Sequence, residues 1–249
     1  MRPPLPPSLG DLLAYLGEIG YGDLYLKAPG HEVPGLETAP GEPVVKPHSW
    51  GAVASPATSS PGAAARLAEL EALARSAAGC TRCRLCEGRK TVVFGAGNPD
   101  ADLMFIGEGP GAEEDRQGLP FVGPAGELLN RIIQAIDMRR EEVYIANIVK
   151  CRPPGNRDPQ PDEVAACRGY LERQIALVQP RTIVALGRVA AQTLLGNASP
   201  IGQMRGRWYQ VQGIPTMVTY HPAALLRNPA LKRPTWEDMQ QVRDRLRGG

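Results

Sequence analysis

The sequence predicts an α/β fold, with a mainly parallel sheet covered on both faces by helices. Two observations carry this. From about residue 63 onward, short apolar runs alternate with longer segments of helical periodicity. Runs such as Asp102–Ile106 (DLMFI) read as buried strands. Length agrees: 249 residues with a 43% hydrophobic fraction can fill a core.

The elements follow in order. Ala64–Ala78 has helical composition and leads into Cys80. After the Asp102–Ile106 strand, Glu127–Met138 reads as a helix with Leu128, Leu129, Ile132, Ile133 and Ile136 on one face. Val143–Ile148 is a strand. Pro161–Val178 is a helix with proline in its first turn. Thr182–Leu186 is a strand and Val189–Leu195 a helix. Trp208–Val211 and Met217–Tyr220 are short strands. Thr235 opens a last helix, with Asp238 at the capping-box distance and Trp236, Met239, Val242 and Leu246 inward. In such a sheet, ligands sit at the carboxyl ends of the strands.

Residues 1–61 differ. They hold eleven of the 25 prolines and end in a Ser/Pro/Ala run, which is linker composition. Within them Leu12, Leu16 and Ile19 share one helical face, so a short helix over 8–19 is a candidate docking element for a protein partner, although alone it is marginal. The division expected is therefore an extension, 1–61, and a folded domain, 62–249. No apolar run reaches membrane-spanning length, and the N-terminus lacks the pattern of a secretory signal. A cytoplasmic, monomeric protein is the expectation. The net charge of +2 leaves any nucleic-acid site to a local patch.

Three loops at strand ends hold the candidate chemistry. The first, IGEGPGAEED, follows a strand. Gly107, Gly109 and Ala112 fit a dinucleotide fingerprint, but Pro110 intrudes, three acids follow, and the next clear helix is expected only near Glu127. The alternative is a tight loop that lets a ligand approach backbone amides, with Glu108 as a poised carboxylate. The second is YIANIVKC, where Asn147 offers a donor and an acceptor to a planar edge carrying C=O beside N–H. The third is TYHPAALLRNP. His221 is the one histidine of the folded region and can donate to developing negative charge while neutral. Leu225 and Leu226, followed by Arg227, suit an apolar wedge into a base stack beside a phosphate-binding cation. Between the first two loops, Phe121 is a lone aromatic in a Gly/Pro-rich segment, a stacking platform for a flat ligand.

Cys80, Cys83 and Cys86 form C-x-x-C-x-x-C, with Cys151 and Cys167 far downstream. Lys90 stands where a ferredoxin run would place its fourth cysteine, so a four-ligand site must draw on the distant ones. Four thiolates suit zinc or an iron–sulfur cluster, and spacing does not decide between them. Five cysteines for four positions leave one surplus.

Together these segments resemble the family 4, iron–sulfur branch of the uracil-DNA glycosylases. The resemblance rests on GEGPGAEED, GLPFVGPAGELLNRI, YIANIVKCRPPGNRDPQPDE and HPAALLRNP, in that order, and runs from about Cys80 to the last helix. It implies a three-layer α/β/α fold around a four-stranded parallel sheet. It implies a structural [4Fe–4S] cluster on Cys80, Cys83, Cys151 and Cys167, leaving Cys86 spare. Uracil would meet the Gly109 backbone, stack on Phe121, present its N3/O4 edge to Asn147 and its O2 to His221. Glu108, Asn147 and His221 would carry catalysis, with Glu108 the nearest carboxylate to the position at which the family 1 enzymes use Asp. Leu225 and Arg227 would touch single- or double-stranded uracil DNA, with Arg152, Arg157, Arg205, Arg207 and Lys232 as further basic candidates. The implied reaction is hydrolytic removal of uracil, leaving an abasic site for base excision repair. The competing readings are a non-catalytic module of the same fold and a branch that traps DNA covalently through a histidine in an inserted basic loop. CRPPGNRDPQPDE has neither that insertion nor a histidine.

Overall fold

The computed structural model describes residues 62–248, all within the compact unit Pro47–Gly249. The candidate helix at 8–19 lies outside the described residues. Helices α1 (Ala63–Ala78) and α2 (Leu85–Gly88) precede strands β1 (Ala96–Gly97) and β2 (Leu103–Gly107). Then come α3 (Ala112–Gln117), α4 (Pro124–Ala135), β3 (Tyr144–Asn147), α5 (Pro161–Val178) and β4 (Thr182–Leu186). The chain ends with α6 (Arg188–Leu195), α7 (Ile201–Met204), β5 (Trp208–Val211), β6 (Ile214–Thr219), α8 (Pro222–Arg227) and α9 (Lys232–Arg247).

The sheet is six-stranded, in the order β1-β3-β2-β4-β6-β5. Its centre, β3-β2-β4-β6, is the expected four-stranded parallel array. Two antiparallel edge strands extend it: β1 on β3 and β5 on β6. The two-residue β1, rich in small residues, carries no strand pattern in the sequence.

The layers follow from the pleat. Leu103, Phe105, Ile145, Val184 and Leu186 point to one face, where α4 and α9 cover them with Leu129, Ile133, Met239 and Val242. Met104, Ile106, Ala146, Ile183 and Ala185 point to the other, under α1, α5 and α6. Strands β2, β3 and β4 are buried along their full length because both faces are covered, and β6 is buried from Thr216 onward.

Four sequence expectations shift. The α4 helix begins at Pro124, with Gly123 as its N-cap, so the PAG read as loop is its first turn. The β6 strand begins at Ile214, because Pro215 sits within the edge pairing with β5. The last helix begins at Lys232, not Thr235, and Asp238 is no capping residue: its buried carboxylate accepts from Thr219 Oγ1 at 2.6 Å and from Arg205. The α3 helix was not expected at all. It starts directly after Gly111, which removes the lack of a helix as an argument against the dinucleotide fingerprint. Its own Glu114 fills that N-terminus, accepting from Gly111 N at 3.1 Å, so the amides are already answered by a carboxylate.

Candidate active site and thiol cavity

The carboxyl ends of the four parallel strands converge at one place. The β2 strand ends at Gly107 and leads into Glu108. The β3 strand ends at Asn147, directly paired with Gly107 in the sheet register. The β4 strand is followed by Gly187, and β6 leads through Tyr220 to His221. Strand order changes direction on either side of β2, where α/β sheets open a crevice.

Phe121 closes this crevice. It holds a left-handed backbone (φ 53°) and is 6% exposed, with its ring centroid 5.5 Å from that of His221. Gly107 lies between Phe121 and Asn147. A methyl group there would stand 2.5 Å from Asn147 Oδ1 and 2.7 Å from Phe121 Cζ. At Gly126 a Cβ would meet the Phe121 carbonyl oxygen at 1.9 Å. These glycines are the space in which the ring and the amide approach each other.

The segment around Phe121 is tied down by charge. Glu114 Oε1 accepts from Val122 N and Gly123 N, both at 3.0 Å, while Oε2 holds Gly111. Arg140 donates to the Pro120 carbonyl and, at 2.8 Å, to Asn130 Oδ1. Asn147 is fixed from behind. The buried Lys150 donates from Nζ to the Asn147 carbonyl at 2.8 Å and also to Gln174. The Asn147 side chain is 1% exposed, and its Oδ1 has no hydrogen-bond partner among the described residues. A buried acceptor without a donor is costly.

His221 is half-buried at the N-cap of α8. Its Nδ1 accepts from Ala223 N at 3.1 Å. Nδ1 therefore carries no proton, and the neutral ring presents Nε2–H. Burial, reinforced by the Arg227 cation and opposed by Glu114, draws its pKa down to about 4. Glu108 moves the other way. Burial, then the negative charge of Asp158, raises its pKa to about 7, against the pull of Arg188. At Gly109 a Cβ would stand 2.8 Å from Val149 Cγ2, so a side chain there would collide.

The basic candidates divide. Arg157 is bound to Glu163 through both nitrogens, at 2.8 and 2.7 Å, and Arg205 to Asp238, so both are structural pairs. Arg207 and Arg227 are exposed. Leu225 corrects an expectation: it is 2% exposed and packs in the core beneath α4, whereas its neighbour Leu226 is 46% exposed. Helical phase in α8 turns one leucine in and the next out.

On the opposite face of the sheet, a cavity is lined by Cys80, Cys83, Cys151 and Cys167, with Arg82 and Tyr170 beside them. Cys86 does not line it. Arg89 donates to Cys151 Sγ at 3.4 Å and to the Cys80 carbonyl at 2.7 Å, and Lys150 N donates to Cys167 Sγ at 3.3 Å. Among the described residues, no three His, Cys, Asp or Glu side chains converge on a point suited to one metal ion. Four of the five cysteines line this one cavity instead.

Sequence reading missed Glu114, Lys150, Gly126 and Gly187. A lysine inside the apolar run IANIVKC was the available signal for a buried cation with dedicated partners. Glu114 gave none, since its three-acid segment reads equally as a solvated face.

The sequence model of the uracil DNA glycosylase superfamily matches residues 94–240. The type-4 uracil-DNA glycosylase of Sulfurisphaera tokodaii is 44% identical over 184 residues, covering 70% of this chain and 84% of that protein. Those of Saccharolobus solfataricus and Thermotoga maritima are each 45% identical, the first over 71% of this chain and 86% of that protein, the second over 66% and 88%. With the strand-end crevice and the four-thiol cavity in place, the chain belongs to the uracil-DNA glycosylase superfamily, in its type-4 branch.

Proposed function

We propose that residues 62–249 form a monofunctional glycosylase domain that hydrolyses the N-glycosidic bond of uracil in DNA, leaving an abasic site. One observation carries the reading: the buried, unpartnered Asn147 Oδ1 faces Phe121 across Gly107. A flipped uracil stacked on Phe121 supplies the missing donor as N3–H, and the Asn147 amide N–H meets O4. The Gly109 backbone borders the base.

The reaction follows from the remaining groups. The C1′–N1 bond breaks with its electron pair leaving on uracil, and charge gathers on O2. His221 donates Nε2–H to that oxygen. Glu108, as carboxylate, takes a proton from the water that bonds to C1′. Leu226 and Arg227 stand at the exposed end of α8 for the DNA stack and a phosphate. Substrate is uracil in single- or double-stranded DNA. No helix among the described residues is long and apolar enough to cross a membrane.

Cys80, Cys83, Cys151 and Cys167 would hold a [4Fe–4S] cluster. Four cysteines lining one cavity, with no three side chains of the described residues converging on a single-ion site, fit a polynuclear cluster better than one zinc ion, whose ligands all lie about 2.3 Å from a single centre. N–H donors on two of the sulfurs suit bound thiolates. Held there, the cluster would supply a structural cross-link between the Cys80–Cys83 turn, the loop after β3 and α5.

Excision from an oligonucleotide with one uracil, followed by alkali, tests the reading. Strand cleavage only after alkali is expected; intact oligonucleotide from cluster-loaded protein would reject it. Glu108→Gln should lower the single-turnover rate by about 10²-fold or more while abasic-DNA affinity is kept. The rate of the unaltered protein should fall as pH drops through about 7, where Glu108 gains its proton. The linkage has the matching sign. With its folded pKa above the usual carboxylate value, Glu108 disfavours the fold above pH about 7, and that penalty fades as pH falls. Glu108→Gln should therefore raise Tm in alkaline buffer, and an unchanged Tm there would contradict the burial argument. Asn147→Asp should weaken uracil inhibition at least tenfold, on the scale of one lost hydrogen bond to a charged acceptor facing O4. Retained inhibition would remove Asn147 as the edge reader.

A further inference from the structure

Beside Glu108 the fold brings together two charged residues that the mechanism above does not use. Asp158 lies in the loop between β3 and α5. Arg188 is the first residue of α6. Their side chains form an ion pair. Each is also anchored on its own element. Arg157, locked on the fully buried Glu163, donates to the Asp158 carbonyl at 2.9 Å. Arg188 donates to Gln192 Oε1, one helical turn on, at 3.2 Å. The two residues share the wall of a groove with Pro159, Pro161 and Gln192.

The position is telling. Gly187, immediately before Arg188, packs on His221: a Cβ there would lie 2.8 Å from His221 Cβ. The loop carrying Asp158 starts from Cys151, next to the strand that bears Asn147. The pair thus joins the loop after β3 to the helix start after β4, and β2, which lies between those two strands, leads into Glu108, whose carbonyl accepts from Val149 N at 3.1 Å. Both partners are about half exposed, 48% and 57%, so the pair adds little to global stability. Its reach is onto its neighbour. Asp158 and Arg188 are the charges that act on Glu108, in opposite senses, on top of burial.

We propose that the Asp158–Arg188 pair is a positioning element for Glu108, pinning the loop after β3 to the start of α6 and balancing the charge beside that carboxylate. The proposal rests on Glu108 activating water, and it makes a signed prediction. Without Arg188 the uncompensated Asp158 anion makes Glu108 harder to ionise, so the acid limb of the rate profile moves to higher pH. Without Asp158 the uncompensated cation moves it to lower pH. A pair that merely stiffened the loop would change both variants alike.

The experiment is single-turnover excision of uracil from a single-stranded oligonucleotide, with enzyme in excess, across the range about pH 5 to about 9. Asp158→Asn, Arg188→Gln, their double variant, Arg188→Lys and Glu108→Gln are compared. Opposite displacements of the acid limb, each on the order of half a pH unit, are expected. The double variant should return near the unaltered profile, and Arg188→Lys should restore it. Displacement in the same direction, or none, while Glu108→Gln abolishes the limb, would overturn the inference and leave the role of Glu108 standing. If Glu108→Gln keeps both rate and limb, the reading of Glu108 falls and this inference with it. Melting curves matching the unaltered protein show that each variant is folded.

Discussion

Replacing His221 with Ala is expected to slow uracil excision by about 10²–10³-fold at saturating enzyme, with abasic-DNA affinity nearly unchanged. The residue is placed to do one thing. The Ala223 N–H occupies Nδ1, so the only ring proton is on Nε2. Burial and the Arg227 cation keep the ring neutral down to about pH 4. A neutral donor stabilises the O2 charge as it forms without first binding an anion in the ground state. The fold pays for this below the ordinary histidine range. Because the folded pKa is depressed, the unfolded chain takes up the proton first, and stability is lost as pH falls from about 6.5 through about 4. Protonation of the folded ring, near pH 4, lies well below the limb assigned to Glu108 near pH 7, so the two groups are separable in one rate profile. His221→Asn retains a capping acceptor for α8 and tests the donor apart from the cap. If either variant stays within a few-fold of the unaltered rate, His221 is not the O2 donor.

Cys151→Ala is expected to abolish the visible absorbance of the proposed cluster and to lower stability by about 2–5 kcal/mol, the scale of losing a covalent staple. Cys151 is 6% exposed at the start of the loop that carries Arg157 and Asp158, and it faces the Cys80–Cys83 turn across the cavity. Releasing it unties three segments at once. Excision should fall as well, because β3 and its Asn147 lead directly into that loop. Cys86→Ala, by contrast, should keep both the chromophore and the melting temperature, since Cys86 does not line the cavity. A Cys86→Ala protein without chromophore, beside a Cys151→Ala protein that retains it, would reverse the ligand assignment.

The readable part of this protein was local or periodic. The four parallel strands are continuous apolar runs, and α4 and α5 show a one-sided stripe, so α/β layering needs only composition and period. Phe121, Asn147 and His221, which the fold brings to one crevice, stand out in the sequence because each is a costly residue type in a segment where packing alone does not demand it. The misreadings arose where neighbours in space overrule neighbours in sequence. Asp238 sits at a capping-box distance, yet Arg205 and Thr219, from other elements, claim its carboxylate. Leu225 and Leu226 are adjacent in sequence, and a turn of helix invisible as a pattern buries one and exposes the other.

By itself, the amino-acid order determined the class of fold, the strand ends at which the candidate residues stand, and the family to which the motifs belong. These rest on backbone propensity and on side-chain chemistry, which travel with each residue. Tertiary structure alone decided which four of five thiols surround one cavity, why Asn147 Oδ1 lacks a donor, and how far Glu108 and His221 depart from ordinary acidity. Those properties come from burial, field and closest approach, and they exist only once distant segments share one space.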